Sequence, residues 1–199
     1  MRFFTSDTHF GHRNIIKYCN RPFVNVFEMD KELIRRWNCT VSPEDTVYFL
    51  GDFAMNLKYY KYLENLNFRY LIFIVGNHDN RKKLNKCLNL ATDEGVLEKL
   101  NCISVMDDFV LNIGDVTFHA THKPIDGSDM FPVLAGHVHE KWRFMDVGNS
   151  ISENKINWEP KKKTLKTPIL NVGVDVHDFY PISEDRVMEF FNDKAKEEG

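Results

Sequence analysis

The 199-residue chain has no hydrophobic run long enough to cross a bilayer. Its longest, Leu71-Ile72-Phe73-Ile74-Val75, is far shorter than the roughly 20 residues a spanning helix needs. The first residues, Met1-Arg2-Phe3-Phe4-Thr5-Ser6-Asp7, have neither an apolar stretch nor a small-residue cleavage site, so no secretory signal is expected. Neither sign of charge dominates. The 26 basic and 29 acidic side chains give a net charge of −3, which argues against a general nucleic-acid coat. Cysteine is scarce. The four, at 19, 39, 87 and 102, form no C-x-x-C pair and adjoin no histidine cluster. A zinc finger and a disulfide framework are thereby excluded, and four reduced, mostly buried thiols in a cytoplasmic protein are expected. No internal repeat is present. What remains is an ordinary globular composition, 43% hydrophobic and 28% charged, which supports a real core and excludes wholesale disorder. One domain spanning 1–199 is expected.

Short β-like runs alternate with helical patterns. Residues 2–6, 46–50, 70–75, 116–121, 132–135 and 169–174 read as strands, several of them apolar on both faces, as in a sheet covered on both sides. Residues 27–39 read as an amphipathic helix, with Phe27, Leu33, Ile34 and Trp37 at helical spacing, and 57–66 and 81–91 read likewise. Ser183 suits the N-cap of a last helix reaching about Lys196, with Glu184 and Asp185 at the positive end of its dipole. Residues 103–121 read as antiparallel strands with a turn near Asn112-Ile113-Gly114-Asp115. Residues 146–168 are polar and weakly periodic, too long for an ordinary connection, and read as a functional loop or a disordered one. Within them, Trp158 and the lysine run at 161–163 read as part of a substrate-selecting lid, against the reading of the lysines as a solvated face.

The informative pattern lies at the carboxyl ends of the apolar runs. Residues 2–6 lead to Asp7-Thr8-His9, and 46–50 to Gly51-Asp52. Residues 71–75 lead to Gly76-Asn77-His78-Asp79, 116–118 to His119 and His122, and 133–135 to Gly136-His137-Val138-His139. In open α/β sheets ligands bind at the carboxyl ends of strands. Asp, Asn and His without thiolate suit Mn, Fe or Zn, and the donors are too many for one tetrahedral ion. They suffice for two metals sharing a carboxylate. Turn chemistry accounts for Gly76 and Asn77 but not for the His78-Asp79 pair after them. In an extended backbone His137 and His139 share a face and can serve adjacent ions.

With these five motifs in this order, the sequence resembles the calcineurin-like metallophosphoesterases over roughly residues 2–187, and in particular a small bacterial and phage subgroup. The subgroup pattern is seen in Ser6-Asp7-Thr8-His9-Phe10-Gly11-His12, Arg21-Pro22-Phe23, Trp37-Asn38, Asn171-Val172-Gly173-Val174-Asp175 and Tyr180-Pro181-Ile182-Ser183. The resemblance implies an α/β fold, a four-layer α/β/β/α sandwich with metals at the strand carboxyl ends. It implies a first metal on Asp7, His9 and His139, a second on Asn77, His122 and His137, and Asp52 bridging them. The implied cofactors are two divalent ions, Mn first, with Fe, Zn, Ni or Mg as alternatives. A hydroxide shared by the ions would attack phosphorus, His78 would assist the leaving oxygen, and Asp79 would orient the His78 ring.

His122 is favoured over His119 as the ligand because it lies past the strand end and precedes Pro124. Lys123 stands where the subgroup usually has an aromatic residue; it either meets a substrate phosphate or points away. His12 and Arg13 are candidates for phosphate contact, against a capping or packing role. His177 reads as structural. The expected activity is phosphoester hydrolysis, leaning to phosphodiesters of a small or nucleotide-like substrate. The alternatives are a phosphomonoesterase or a non-catalytic protein-binding scaffold on the same fold. A nuclease acting on extended nucleic acid is disfavoured by the acidic balance. No membrane partner is expected.

Overall fold

A computed structural model describes residues 1–55, 59–93, 102–153 and 160–197. In it the apolar runs become two five-stranded sheets. The first sets β1 (Arg2–Thr5), β2 (Thr46–Phe49), β3 (Tyr70–Ile74) and β4 (Ile103–Met106) side by side and parallel. A short β12 (Ile182–Ser183) runs antiparallel outside β1. Phe3, Val47, Leu71 and Ile103 fall in one row across it. The second sheet is ordered β5 (Asp108–Ile113), β6 (Val116–Thr121), β7 (Val133–Ala135), β11 (Ile169–Asn171) and β8 (Phe144–Met145). Its three inner strands are parallel and its two edges antiparallel.

Side chains alternate across a strand, and both faces of the first sheet are apolar. Phe3, Val47, Phe49, Leu71 and Phe73 face the helical side. There α2 (Val26–Thr40) buries Met29, Leu33 and Trp37, spaced four apart on one stripe. Its N-terminus is closed by Asn25, whose Oδ1 accepts the Glu28 N–H at 3.0 Å. Phe27, expected on the buried stripe, is 76% exposed, because two positions before Met29 the helix has turned to its far side. Leu63 of α3 (Tyr59–Leu63) and Leu84 of α4 (Arg81–Asp93) join the same core. The other face of the sheet carries Phe4, Tyr48, Leu50 and Ile74, which meet Leu111, Phe118, Leu134 and Leu170 of the second sheet. Burying such a side chain contributes about 1.5–3 kcal/mol, so the sheet-to-sheet contact fixes how the two sets of strand ends face each other. Helix α5 (Glu184–Glu197) starts at Ser183, whose Oγ accepts the Arg186 N–H at 3.2 Å. Its Phe191 ring lies 5.0 Å from Phe118 and 5.2 Å from Phe144.

The α/β sandwich expected from the sequence is therefore present. Its outermost layer, over Val133, Ala135 and Ile169, is a hairpin of β9 (Ser150–Glu153) and β10 (Lys161–Thr164). This hairpin lies within residues 146–168, the stretch expected to be a functional or a disordered loop; Trp158 lies outside the described residues. Lys161 and Lys162 are exposed, as expected of a solvated face, and Lys161 and Lys163 also form ion pairs. Lys161 Nζ reaches Asp126 Oδ1 at 2.6 Å and Lys163 Nζ reaches Asp129 Oδ1 at 3.0 Å. Residues 103–121 also differ from expectation. The chain changes sheets at Asp107, so 103–106 pair in parallel with β3 and only 108–121 form an antiparallel hairpin. Cys19 is buried, Cys39 exposed, Cys87 and Cys102 half-buried, and none is in a disulfide. Among the described residues no helix is long and apolar enough to cross a membrane.

Candidate metal centre

The parallel strands of both sheets end at one place. Past β1 come Asp7 and His9, past β2 Asp52, past β3 Asn77 and His78, past β6 His122, past β7 His137 and His139. Backbone bonds lock these turns together. The Asp7 N–H donates to Gly51 O at 2.9 Å, the His9 N–H to Asp52 O at 3.0 Å, and the Gly136 N–H to His122 O at 3.0 Å. Asp7, His9, Asp52, His137 and His139 all adopt left-handed backbone, with φ of 58°, 50°, 59°, 72° and 50°. That conformation costs on the order of 1–3 kcal/mol per non-glycine residue and gathers at functional sites. Two glycines permit the approach of the carboxylates. A Cβ on Gly76 would lie 2.2 Å from Asp52 Oδ1, and one on Gly136 would lie 2.6 Å from Asp7 Oδ2.

Seven side chains converge. One donor atom each of Asp7, His9 and His139 lie within 4.8 Å of one another, and so do those of Asp52, His122 and His137. Asp52 joins the two groups: its Oδ2 is 3.5 Å from His9 Nε2 and 3.5 Å from His122 Nε2. Asn77 Oδ1 is 3.0 Å from the same His122 nitrogen. The His122 Nδ1–H donates to Leu50 O at 2.7 Å, which leaves Nε2 as the nitrogen facing the cluster.

The residues fit a cation. Asp7 Oδ1, His9 Nε2 and Asp52 Oδ2 are buried with no hydrogen-bond partner among the described residues. Buried polar atoms are nearly always partnered, and these are electron-pair donors of the hard-to-borderline kind that divalent ions take. Electrostatics agree. Burial pushes the His122 pKa down, but the neighbouring carboxylates of Asp52 and Asp7 outweigh this and raise it to about 9. Burial likewise opposes the His139 proton, but Asp175, Cys19 and Asp7 raise its pKa to about 10. By contrast burial lowers His9 to about 2 and His137 to about 4, helped by neighbouring cations. The centre thus attracts positive charge at some donors and keeps others as free imidazole.

The residues behind the donors depart in part from expectation. His139 Nδ1 lies 2.9 Å from Asp175 Oδ2, a bond that fixes its ring. Asn171 Nδ2 donates to the carbonyls of His139 and Trp142, each at 2.8 Å. Asp79, expected behind the His78 ring, instead accepts backbone N–H bonds. Its Oδ2 takes those of Asp52 at 2.7 Å and Gly76 at 2.9 Å, and its Oδ1 that of Phe53 at 3.0 Å. It clamps two of the turns together, and burial raises its pKa to about 6. His78 holds Asp52 Oδ1 through its backbone N–H at 2.8 Å, while its exposed ring stands 5.4 Å from the His9 ring.

At the rim, His12 Nδ1 lies 3.4 Å from His9 Nδ1. Its ring lines a cavity of about 270 Å³ with His9, His78, His139 and Tyr18. Arg13 is exposed and does not line this cavity, so the structure does not bring it to the cluster. Lys123 points toward the cluster but is ion-paired to Glu153, a hairpin residue outside every sequence motif. His119 stays apart, its Nδ1 accepting the Ser128 N–H at 3.0 Å. His177 is buried beside Asn171 O and outside the cluster.

No family model matches the chain. The uncharacterised protein MJ1445 of Methanocaldococcus jannaschii is 35% identical over 189 residues, covering 92% of this chain and 87% of its own. The gene 66 protein of Mycobacterium phage D29 is 27% identical over 210 residues, covering 96% of this chain and 95% of its own. The crystal structure of AQ665, a protein of unknown function from Aquifex aeolicus, superposes with a TM-score of 0.64 at 21% identity, over 96% of this chain and 98% of that one. That likeness is one of fold. At such identity and coverage the chain belongs to the family of the archaeal protein MJ1445.

Proposed function

We propose that this chain is a phosphoester hydrolase working with two divalent metal ions, Mn foremost, and acting on phosphodiesters of small or nucleotide-like molecules. The observation that supports it is the position of Asp52 Oδ2, buried, unpartnered and equally close to one imidazole of each donor group. On this reading Asp7, His9 and His139 hold one ion, Asn77, His122 and His137 the other, and Asp52 both. When bound, such a pair would lower the pKa of a water molecule and neutralise charge on a phosphoryl group.

The chain's own residues do the rest. The turns hold the donors in place, because five of them sit in left-handed backbone fixed by the surrounding strands. The His78 ring is exposed beside His9, so it can hand a proton to a leaving oxygen. His12 sits on the same cavity wall and can donate to a phosphate oxygen. Asp79 keeps the Gly51–Phe53 and Gly76 turns in register.

The test is hydrolysis of bis(p-nitrophenyl) phosphate and p-nitrophenyl phosphate by metal-stripped protein with Mn²⁺ added back. Metal-dependent cleavage of the diester is expected. Cleavage of the monoester alone would make the protein a phosphatase. Cleavage of neither, with two ions bound, would favour the scaffold reading.

A further inference from the structure

Among the described residues three cavities border the donor cluster; one, of about 210 Å³, is lined by Asn77 and His122, and two are larger. One, of about 270 Å³, lies on the side of His9, His78 and His139. The other, of about 440 Å³, lies beyond His137 and is closed by β9. The second falls within the range of small-molecule sites, and the chemistry assigned to the cluster leaves it without a role. Its near wall carries His137, Lys123 and Glu153, and its far wall Trp142, Met145 and Ile151.

We propose that this second cavity takes the second ester group of a phosphodiester, an aromatic group such as a nucleoside. Glu153 at its rim is then the residue that turns phosphomonoesters away. The inference rests on the phosphoesterase reading above and deepens it.

Three observations carry it. First, one of the larger cavities lies against His9 and His139 and the other against His137, so a phosphorus atom seated at the cluster has room for an ester group toward each. A diester has two ester groups to fill them, and a monoester has one. His78 lines only the first cavity, which makes that the leaving-group side. Second, Trp142 is half-buried in the far wall, and its indole N–H has no hydrogen-bond partner among the described residues. Its ring is free to stack on a planar group, and its N–H to bond one. Third, the charges at the rim favour a single negative charge on the substrate. Lys123 Nζ is ion-paired to Glu153 Oε1, and the same oxygen lies 3.9 Å from His137 Nε2. The side chains of Lys123 and Glu153 are only 28% and 21% exposed, so solvent screens them incompletely. A phosphomonoester near neutral pH carries close to two charges. Glu153 occupies Lys123 and itself repels a second negative charge, which leaves Lys141 as the other cation on the cavity wall. A diester carries one charge and needs no such partner.

The experiment compares kcat/KM for bis(p-nitrophenyl) phosphate, methyl p-nitrophenyl phosphate and p-nitrophenyl phosphate in the Mn²⁺-loaded wild type, E153Q, W142A and W142F. Glu153→Gln keeps the shape of the rim and removes the charge. It is expected to raise monoester cleavage about tenfold while changing diester cleavage little. Trp142→Ala is expected to raise KM for the bis-aryl diester about tenfold and leave the methyl diester unchanged, with Trp142→Phe between them. An unchanged diester-to-monoester ratio in E153Q overturns the role of Glu153. An unchanged preference for the second aryl group in W142A overturns the cavity. Should the wild type cleave none of the three, the phosphoesterase reading itself fails. The cavity is then decided by binding of diphenyl phosphate to ¹⁵N-labelled protein. A shift of the Trp142 indole N–H, identified by its loss in W142F, supports it. No shift at millimolar ligand overturns it.

Discussion

Arg21 and Asp175, 154 residues apart, form a two-point ion pair inside the protein, Nε to Oδ1 at 2.7 Å and Nη2 to Oδ2 at 2.9 Å. The same guanidinium donates to Asp7 O at 2.6 Å and Thr8 O at 2.9 Å. Asp175 in turn bonds His139. One arginine therefore couples the turn bearing Asp7 and His9 to the ring of His139. The pair is almost fully buried, with side-chain exposures of 0% and 2%. Removing one partner of a buried pair leaves the other uncompensated, at a cost of about 3–5 kcal/mol. Asp175→Asn is expected to destabilise by about that much in urea unfolding. Arg21→Lys is expected to lower metal affinity as well, because an ammonium cannot reproduce the planar fork. Wild-type stability in Asp175→Asn would show that the pair is not buried in solution.

The unpartnered donors make a second prediction. Asp7 Oδ1, His9 Nε2 and Asp52 Oδ2 have no partner among the described residues, and a cation entering the cluster supplies one. Mn²⁺ is therefore expected to raise the melting temperature in a concentration-dependent way, with about 2.7 kcal/mol of stabilisation at a hundredfold excess over Kd. Asp52→Asn removes the charge shared by both groups. It is expected to weaken both sites together, read as metal content after dialysis. Equal content in mutant and wild type would remove Asp52 from the bridging position.

His78 contributes to the site in two separable ways. Its backbone N–H holds Asp52, and its ring faces the cavity. His78→Ala keeps the first and loses the second. Metal stoichiometry is expected to stay at the wild-type value while kcat falls roughly 10²–10⁴-fold, the range for losing a general acid. A fall in metal content would mean that the ring itself is a ligand.

Much of this centre is legible in the sequence because its donors come after apolar runs at fixed short offsets. Asp7, Asp52, Asn77, His122 and His137 each stand just past a strand, so finding the strands finds the donors. Asp175 belongs to a recognisable run, but its role depends on an arginine that only folding brings near. Asp79 adjoins His78 in sequence, which suggests a place behind that ring, while its carboxylate turns back to three backbone N–H groups. The hairpin is hidden by its own composition. Lys161-Lys162-Lys163-Thr164 has no apolar alternation, and its lysines gain their place from Asp126 and Asp129, across the chain. Glu153 is hidden with it.

His177 gives a prediction about pH. It is buried outside the donor cluster, with Nε2 2.7 Å from Asn171 O and its ring 5.7 Å from Phe190. Burial lowers its pKa to about 4, the Asn171 carbonyl opposing, Arg143 and Arg186 adding to the fall and Asp178 resisting it. The folded pKa lies below the ordinary value of 6.5, so the unfolded chain binds the proton more readily. The stability this residue contributes is complete above pH 6.5 and is lost as pH falls toward 4. The whole difference is worth roughly 3 kcal/mol at most. Other histidines titrate in the same window, so the useful quantity is the gap between wild type and His177→Gln, in which their contributions cancel. At pH 7.5 the variant is expected to be less stable by about 1 kcal/mol, having a poorer bond to Asn171. As pH falls the wild type alone must refuse a proton at this position, so the gap should close and then reverse by pH 4.5. Urea unfolding across that range measures it. A gap that stays constant would mean that His177 takes its proton in the folded protein as easily as in the unfolded chain.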